Sequence, residues 1–489
     1  MAAGRATGAP EKLHWSSLLS TLRKSIRGLW GLFAGGAYLA VQGHWAVVVG
    51  LAILFAFVSV AAAVLRWTRF TFAITDDQVR IDSGIVSRTH RSIPFDRIQD
   101  VDITQGPVAR LLGVARVKFE TGGGAAGTDD GVLDAIALDR AETLRSLIRS
   151  RGAEIPASFD ELPVEVAPIY SMSLQRLFLA GMFNFSLALF AFLFGATQTM
   201  GDAVGFDPFN RRFWQGLLAT GSPIAAFLLA HQVAAAVAGL LILGLAGLAT
   251  GVIRTVLRDF GFRVDRTETG LRRRRGLLTR TDVTLPVARV QAAVIATGPV
   301  RDRFGWRALS LQNLARDEGE KNGHLLAPLA SDPEVDRILT ELGWRDQSSD
   351  AQWRPVSACY VWLHLILLTP LFLIAVFQAF FFPLFGLIGC GFIAGAALTR
   401  FLAWRRTRYA LDGDRLLVRT GWWRRRSAIL PLSKVQSIDL TENVISRWFG
   451  TASLQFGVAG GAPFGIHGLP ALGRETARNL RDKLLAGER

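Results

Sequence analysis

The stretch Pro94-Phe95-Asp96-Arg97-Ile98-Gln99 returns as Pro286-Val287-Ala288-Arg289-Val290-Gln291 and again as Pro431-Leu432-Ser433-Lys434-Val435-Gln436. The shared pattern is Pro-x-x-basic-aliphatic-Gln, and its flanks recur with it. A glycine stands ten residues before each Pro (Gly84, Gly276, Gly421), and another fourteen after each Gln (Gly113, Gly305, Gly450). Three copies with unchanged spacing define a repeated unit. The rest of the chain must therefore read as three versions of one module.

The first copy reads as strands followed by a helix. Phe70, Phe72 and Ile74 alternate with polar or small residues, and Val79 and Ile81 resume the alternation, the period-two pattern of a half-buried strand. Residues 107–112 predict one helical turn ending at Gly113. A strand over 114–121 leads to a glycine-rich loop, and Ile136 and Leu138 close the sheet. Residues 141–150 predict a helix with Leu144, Leu147 and Ile148 on one face. The unit is about seven strands and a C-terminal helix.

Two apolar stretches precede each copy: 28–42 and 45–65, 173–198 and 223–253, then 356–378 and 384–398. Crossing ~30 Å of hydrocarbon takes ~20 residues, so the 15-residue stretch 28–42 is short for a span. Paired stretches predict helical hairpins. Basic residues set their direction. The ends beside the copies carry Arg66, Arg69, Arg254, Arg258, Arg400, Arg405, Arg406 and Arg408, whereas the turns 42–44 and 378–383 carry none. Arg211 and Arg212 in the middle turn are a minor exception. The expectation is a multi-pass protein of the bacterial inner membrane, with both termini and all three modules in the cytoplasm.

The expected division is a cytoplasmic terminus (1–27), hairpins at 28–65, 173–253 and 356–399, and modules at 66–152, 254–345 and 400–489. Residues 152–168 and 345–354 read as linkers. The net charge of +15 is uneven: 13 basic against 12 acidic residues in the first module, 17 against 12 in the second, 16 against 7 in the third. Basic modules beside a bilayer face anionic headgroups, worth ~1 kcal/mol per Lys or Arg. No nucleic-acid motif accompanies the charge. The two cysteines, Cys359 and Cys390, lie in apolar stretches and read as small buried thiols, not as a disulfide or metal site.

Each unit resembles the bacterial pleckstrin-homology-like (PH-like) domain of the membrane-flanked type. The match rests on the Gly84-to-Pro94 segment, Arg97-Ile98-Gln99 and Leu111-Leu112-Gly113, with their equivalents around Gly276 to Pro286 and Gly421 to Pro431. The resemblance implies a strongly bent seven-stranded sheet, a β-sandwich or barrel closed by a helix. The fold class expected is thus an α+β membrane protein with six transmembrane helices in three hairpins, each followed by a PH-like module. The resemblance implies no activity, and phosphoinositide binding by eukaryotic relatives is not carried over.

The leading site candidate is the turn after each repeat glycine: Ile85, Val86 and Arg88; Leu277, Leu278 and Arg280; Trp422, Trp423, Arg424, Arg425 and Arg426. Neighbours on a strand point to opposite faces, so one apolar residue of each pair faces away from the core. It meets either the membrane interface or the neighbouring copy. The run Arg272, Arg273, Arg274 and Arg275 is a second candidate, as a solvated face or a holder of anionic lipid. The loop Gly122-Gly123-Gly124-Ala125-Ala126-Gly127-Thr128 lacks the Lys-Ser/Thr of a phosphate loop and reads as a hairpin loop. His231 and His364 lie in membrane segments, where a polar side chain is a functional hint; His231 reads as an interhelical hydrogen-bonding group.

No catalytic, cofactor or metal residues are expected. The function expected is non-enzymatic: three PH-like modules held at the inner leaflet to bind lipid headgroups, a membrane-protein partner, or each other. The alternative is a lipid- or peptide-transport unit regulated by the modules. A solvated cavity containing His231 or His364 would favour transport, and tight Gly/Ala packing would favour scaffolding.

Overall fold

The computed structural model describes residues 10–18, 21–22, 43–75, 77–84, 89–95, 98–121, 131–152, 167–185, 215–216, 219, 223, 227, 230–268, 270–313, 323–344, 351–458 and 468–485. The stretch 28–42, the loops 122–128 and 200–214, and Ile85, Val86 and Arg88 lie outside them.

In the first copy the order is β1 (Glu11–Lys12), α1 (Trp45–Arg69), β2 (Thr71–Ile74), β3 (Gln78–Ser83), β4 (Thr89–Pro94), β5 (Ile98–Gln105), α2 (Pro107–Leu111), β6 (Val114–Thr121), β7 (Val132–Ala137) and α3 (Leu138–Gly152). The second copy has β8 (Tyr170–Ser171), α4 (Leu174–Phe183), α5 (Gln232–Asp259), β9 (Arg263–Arg266), β10 (Gly270–Arg275), β11 (Arg280–Pro286), β12 (Val290–Thr297), α6 (Pro299–Arg303), β13 (Arg307–Asn313), β14 (His324–Ala330) and α7 (Asp332–Glu341). The third has β15 (Arg354–Pro355), α8 (Cys359–Phe381), α9 (Pro383–Arg406), β16 (Arg408–Asp412), β17 (Arg415–Thr420), β18 (Arg425–Pro431), β19 (Val435–Thr441), α10 (Val444–Trp448), β20 (Thr451–Val458), β21 (Gly468–Gly473) and α11 (Arg474–Leu485). The molecule is mixed α and β, with several antiparallel sheets. Among the described residues four helices are long and apolar enough to cross a bilayer: α1, the Val237–Asp259 part of α5, α8 and α9.

By contacts the chain forms two compact units, Met1–Ala167 with Leu271–Thr284, and Pro168–Gly270 with Leu285–Arg489. In the first, β1 to β4 make one sheet, and β7, β6 and β5 belong to a second that β11 continues. Between them lies a core of Phe72, Val79, Ile81, Ile93, Val101, Val117 and Leu133, closed by Ala141, Leu144 and Ile148 of α3. In the second unit, the third copy repeats this arrangement around Tyr409, Leu416, Val418, Leu430, Leu454 and Phe456, closed by Ala477 and Leu480 of α11.

The repeated motif is the corner where the chain leaves one sheet for the other. Pro286 and Pro431, with φ of −60° and −62°, end their strands and start three-residue 3₁₀ turns, Val287–Arg289 and Leu432–Lys434. Proline suits that position because its φ is already set and no N–H is needed. The basic residue ends the turn, and the aliphatic residue opens the next strand. The following glycine of the pattern, Gly113, Gly305 or Gly450, has φ of +64°, +69° or +61°. Each ends a short helix in the left-handed conformation that glycine adopts at least cost.

The structure has a short strand in the expected terminus, one just after the expected linker 152–168, and one at the end of the linker 345–354. β1 pairs with β2 (Glu11↔Phe72), β8 with β9 (Tyr170↔Val264) and β15 with β16 (Arg354↔Tyr409). Each membrane segment is therefore inserted between the first and second strands of its own module. Equivalent tryptophans lock the joint in two copies. The Trp67 indole N–H donates to the Leu13 carbonyl at 2.9 Å, and the Trp404 indole N–H to the Val356 carbonyl at 3.1 Å.

The membrane helices approach closely at small residues. A Cβ on Gly386 of α9 would lie 2.3 Å from the Ala379 Cα of α8, and one on Gly251 of α5 would lie 2.8 Å from the Gly181 carbonyl of α4. Among the described residues His231 contacts its own segment: its Nδ1 lies 3.3 Å from the Phe227 carbonyl oxygen and its ring stacks on Phe227. The two cysteines are half-buried, not buried.

Candidate membrane-contact site

The turn between the second and third principal strands depends on its glycine. Gly276 has φ +112°, and a Cβ there would lie 1.8 Å from the Thr279 carbonyl oxygen; at Gly421, φ is +76° and the distance to the Arg424 carbonyl oxygen 2.1 Å. Only a residue without a side chain lets the chain fold back this tightly. The turn then sets its two apolar residues differently. Leu277 and Trp422 are half-buried, while Leu278 and Trp423 are 47% and 61% exposed. Trp422 and Trp423 meet edge to face at 5.5 Å.

These tips do not stand alone. In the first unit the Leu277 carbonyl accepts a hydrogen bond from Arg110 Nη1 of α2 at 3.1 Å. In the second, the tip of the third copy meets α6 in the same way. Arg425 pairs with Asp302, its Nε donates to the Trp422 carbonyl at 3.2 Å, and a Cβ on Gly298 would lie 3.3 Å from the Trp423 carbonyl oxygen. At both junctions the tip of one copy therefore docks on the short helix of the copy before it.

The short helices add apolar surface that the sequence reading missed. Val108 and Leu111 flank Arg110, and Leu111 is 88% exposed. Val300 and Phe304 are exposed beside Arg301, and Trp448, at 84%, and Phe449 are exposed at the end of α10. The available signal was an apolar residue directly ahead of each repeat glycine. The α6 turn also reaches α4 and the C-terminal part of α5. Arg301 Nη2 donates to Asn184 Oδ1 at 3.2 Å, Asn184 Nδ2 donates to Thr255 Oγ1 of α5 at 3.1 Å, and the Arg301 guanidinium lies 5.3 Å from the Phe183 ring centroid.

The arginines divide by strand face. In β10, Arg273 and Arg275 point inward with Leu271, and Arg273 is 0% exposed. Arg272 is half-buried and grips Asp282 of β11, with Nε 2.8 Å from Oδ1; Arg274 is exposed. The run is therefore not the uniform charged face that composition suggests, and its alternation is the ordinary period of a strand. Arg145 of α3 completes the cluster, its Nη1 lying 3.1 Å from Asp282 Oδ2. Burial alone would raise the Asp282 carboxyl pKa; the Arg272 hydrogen bond and the Arg145 charge outweigh it and hold the pKa below the ordinary value. At the tips, Arg280 of the second copy and Arg424 of the third are exposed, and Arg425 and Arg426 of the third are half-buried. Burial first, and then the Arg424 charge, push the Arg426 guanidinium pKa down.

Sheet-and-helix modules carried on apolar helices of bilayer length define a polytopic membrane protein. The family model of the bacterial PH domain matches residues 31–152, 222–345 and 356–488, together most of the chain, and the protein belongs to that family. It is similar to the UPF0699 transmembrane protein YdbT of Bacillus subtilis (strain 168), with 23% identity over 467 residues covering 90% of each chain. No solved structure matches.

Proposed function

We propose that the protein is a non-enzymatic scaffold of the bacterial inner membrane that holds three cytoplasmic PH-like modules against anionic headgroups. The observation that carries this reading is the paired apolar tip: Leu278 beside α2 with Leu111, and Trp423 beside α6 with Phe304, each among arginines. Aromatic and aliphatic side chains ringed by arginine suit the headgroup level, where apolar bodies enter and guanidiniums meet phosphate. The link from Arg301 through Asn184 to Thr255 supports the same level, because it ties the short helix α6 to the last turns of α5. Within the arginine run, Arg274 is the exposed residue.

Six spans in three hairpins remain our reading of the membrane part. It is supported by β1, β8 and β15, since a segment that leaves and rejoins one sheet crosses an even number of times. Arg66, Arg69, Arg258, Arg405 and Arg406 in the last helical turns favour a cytoplasmic side. Glycine packing between α8 and α9 favours scaffolding over a solvated transport path.

The test is depth measurement on the full chain. Nitroxides are placed singly at Leu278→Cys, Trp423→Cys and the exposed control Asp414→Cys in a Cys359→Ser, Cys390→Ser background, in nanodiscs with and without phosphatidylglycerol. Positions 278 and 423 are expected to be more accessible to oxygen than to a nickel chelate, and more so with anionic lipid. Accessibilities equal to those at 414 would refute membrane contact.

A further inference from the structure

We propose that the β19 edge of one chain pairs with the β4 edge of a second copy, joining chains head to tail. The basis is a junction that the chain already makes twice. β5 of the first copy pairs antiparallel with β11 of the second, with Ile103 opposite Asp282, Thr104 opposite Thr281 and Gln105 opposite Arg280. β12 of the second copy pairs antiparallel with β18 of the third, with Ile295 opposite Ser427, Ala296 opposite Arg426 and Thr297 opposite Arg425. Counted from the repeat prolines the register is identical: the residue nine after one Pro faces the residue four before the next. Each copy thus offers its fourth principal strand to the third of its successor.

Two edges are left over. Among the described residues β19 is the end strand of its sheet, and β4 is the end strand of the first sheet. Their surfaces match that position. In β12, which has a successor, Gln291, Ala292 and Ala293 are buried; the equivalent Gln436 and Ser437 of β19 are exposed, and Ile438 is half-covered. In β4, Thr89, His90 and Ser92 are exposed. An edge of seven residues without proline is a template for another strand.

Transferring the register puts Leu440 opposite His90, Thr441 opposite Thr89, Ile438 opposite Ser92 and Asp439 opposite Arg91. That last pair brings opposite charges together, a favourable cross-strand neighbour. At the equivalent positions within the chain Val294 faces Ala428 and, by the same register, Asp102 falls opposite Val283, so neither internal junction pairs opposite charges there. The free edges therefore carry a complementarity of their own. The contact uses two different surfaces, so it is heterologous and builds a ring or an open chain of copies. It does not depend on lipid contact by the tips.

The experiment co-expresses two differently tagged full-length chains in a Cys359→Ser, Cys390→Ser background, one with Ser92→Cys and the other with Ile438→Cys, and oxidises them in native membranes. The expected result is a mixed disulfide at least several-fold stronger than for Ile438→Cys with Thr89→Cys, three positions away. In detergent, mass photometry should show oligomers that Asp439→Arg disperses and that Asp439→Arg with Arg91→Asp restores. Monomers throughout would overturn the proposal. So would an unselective disulfide from chains whose melting is unchanged, oligomers indifferent to the charge swap, or capture of a different protein by Ile438→Cys.

Discussion

The joint between the first and second copies can be weakened at one residue, Asp282. Asp282 of β11 accepts from Arg272 Nε at 2.8 Å and lies 3.1 Å from Arg145 Nη1, while Thr284 accepts from Arg145 Nη2 at 3.2 Å. Asp282→Asn keeps the shape and removes the charge between two guanidiniums. Removing one partner of a buried ion pair costs ~3–5 kcal/mol because the other charge stays behind. Here Arg145 is 7% exposed and Asp282 23%, so water screens part of the site, and about 2–3 kcal/mol is expected. For a unit of this size each kcal/mol moves Tm by ~2–4 °C, giving a drop of about 4–12 °C. Scanning fluorimetry of the full chain in detergent measures it. The pH dependence supplies a second check. The folded pKa lies below the unfolded value, so the stabilisation is fully present above ~4 and is lost as pH falls through the lower folded value. The gap between wild type and Asp282→Asn should hold at pH 7 and close in acid. Equal Tm at pH 7, or a gap that persists in acid, would refute the reasoning.

Two further variants test local claims. Gly276→Ala should cost ~1–3 kcal/mol for its backbone conformation, and more for the clash with the Thr279 carbonyl; Gly305→Ala, with φ +69° and open space around its Cβ, should cost only ~1 kcal/mol. The measurement is the difference in Tm between the two, and equal losses would contradict the turn geometry. Glu334 accepts from the Ser331 backbone N–H at 2.9 Å and from Arg176 Nη1 at 2.6 Å. Burial alone would raise its pKa, but the Arg176 hydrogen bond and those from Ser331 pull it below the ordinary value. Glu334→Gln should therefore lower Tm at neutral pH by the equivalent of ~1 kcal/mol, with the difference vanishing in acid.

The module was legible because its punctuation is chemical. Proline at the corner, glycine at the tip and glycine after the short helix each answer a backbone requirement, so their spacing survives where other residues drift. The helical face of Leu144 and Ile148 was legible from its period, and both are buried. The strands β1, β8 and β15 were not, because two residues carry no period and their partners lie beyond a membrane segment. Strand sharing left a signal that went unread. β12 runs Val290, Gln291, Ala292, Ala293, Val294, Ile295 and Ala296, almost wholly apolar, whereas β19 carries Gln436, Ser437 and Asp439; the signal is confined to this junction, because β5, which is also flanked on both sides, alternates. The arginine run misled because charge was read as surface before strand period was applied to it.

Inserting the membrane segment between the first and second strands of each module has a mechanical consequence. A segment joined to a domain at one end swings on its linker. One whose two ends both return to the same sheet cannot, and the indole bonds of Trp67 and Trp404 to the carbonyls of Leu13 and Val356 remove the slack that remains. The module is then oriented by its own membrane anchor. Weak surface contacts at the tips need not supply that orientation from diffusion. A contact of modest affinity is thereby made effectively intramolecular, at the high local concentration that tethering gives. On the proposed function, exposed Leu111, Phe304 and Trp448 would read what lies at the membrane face, since apolar helices already secure the attachment.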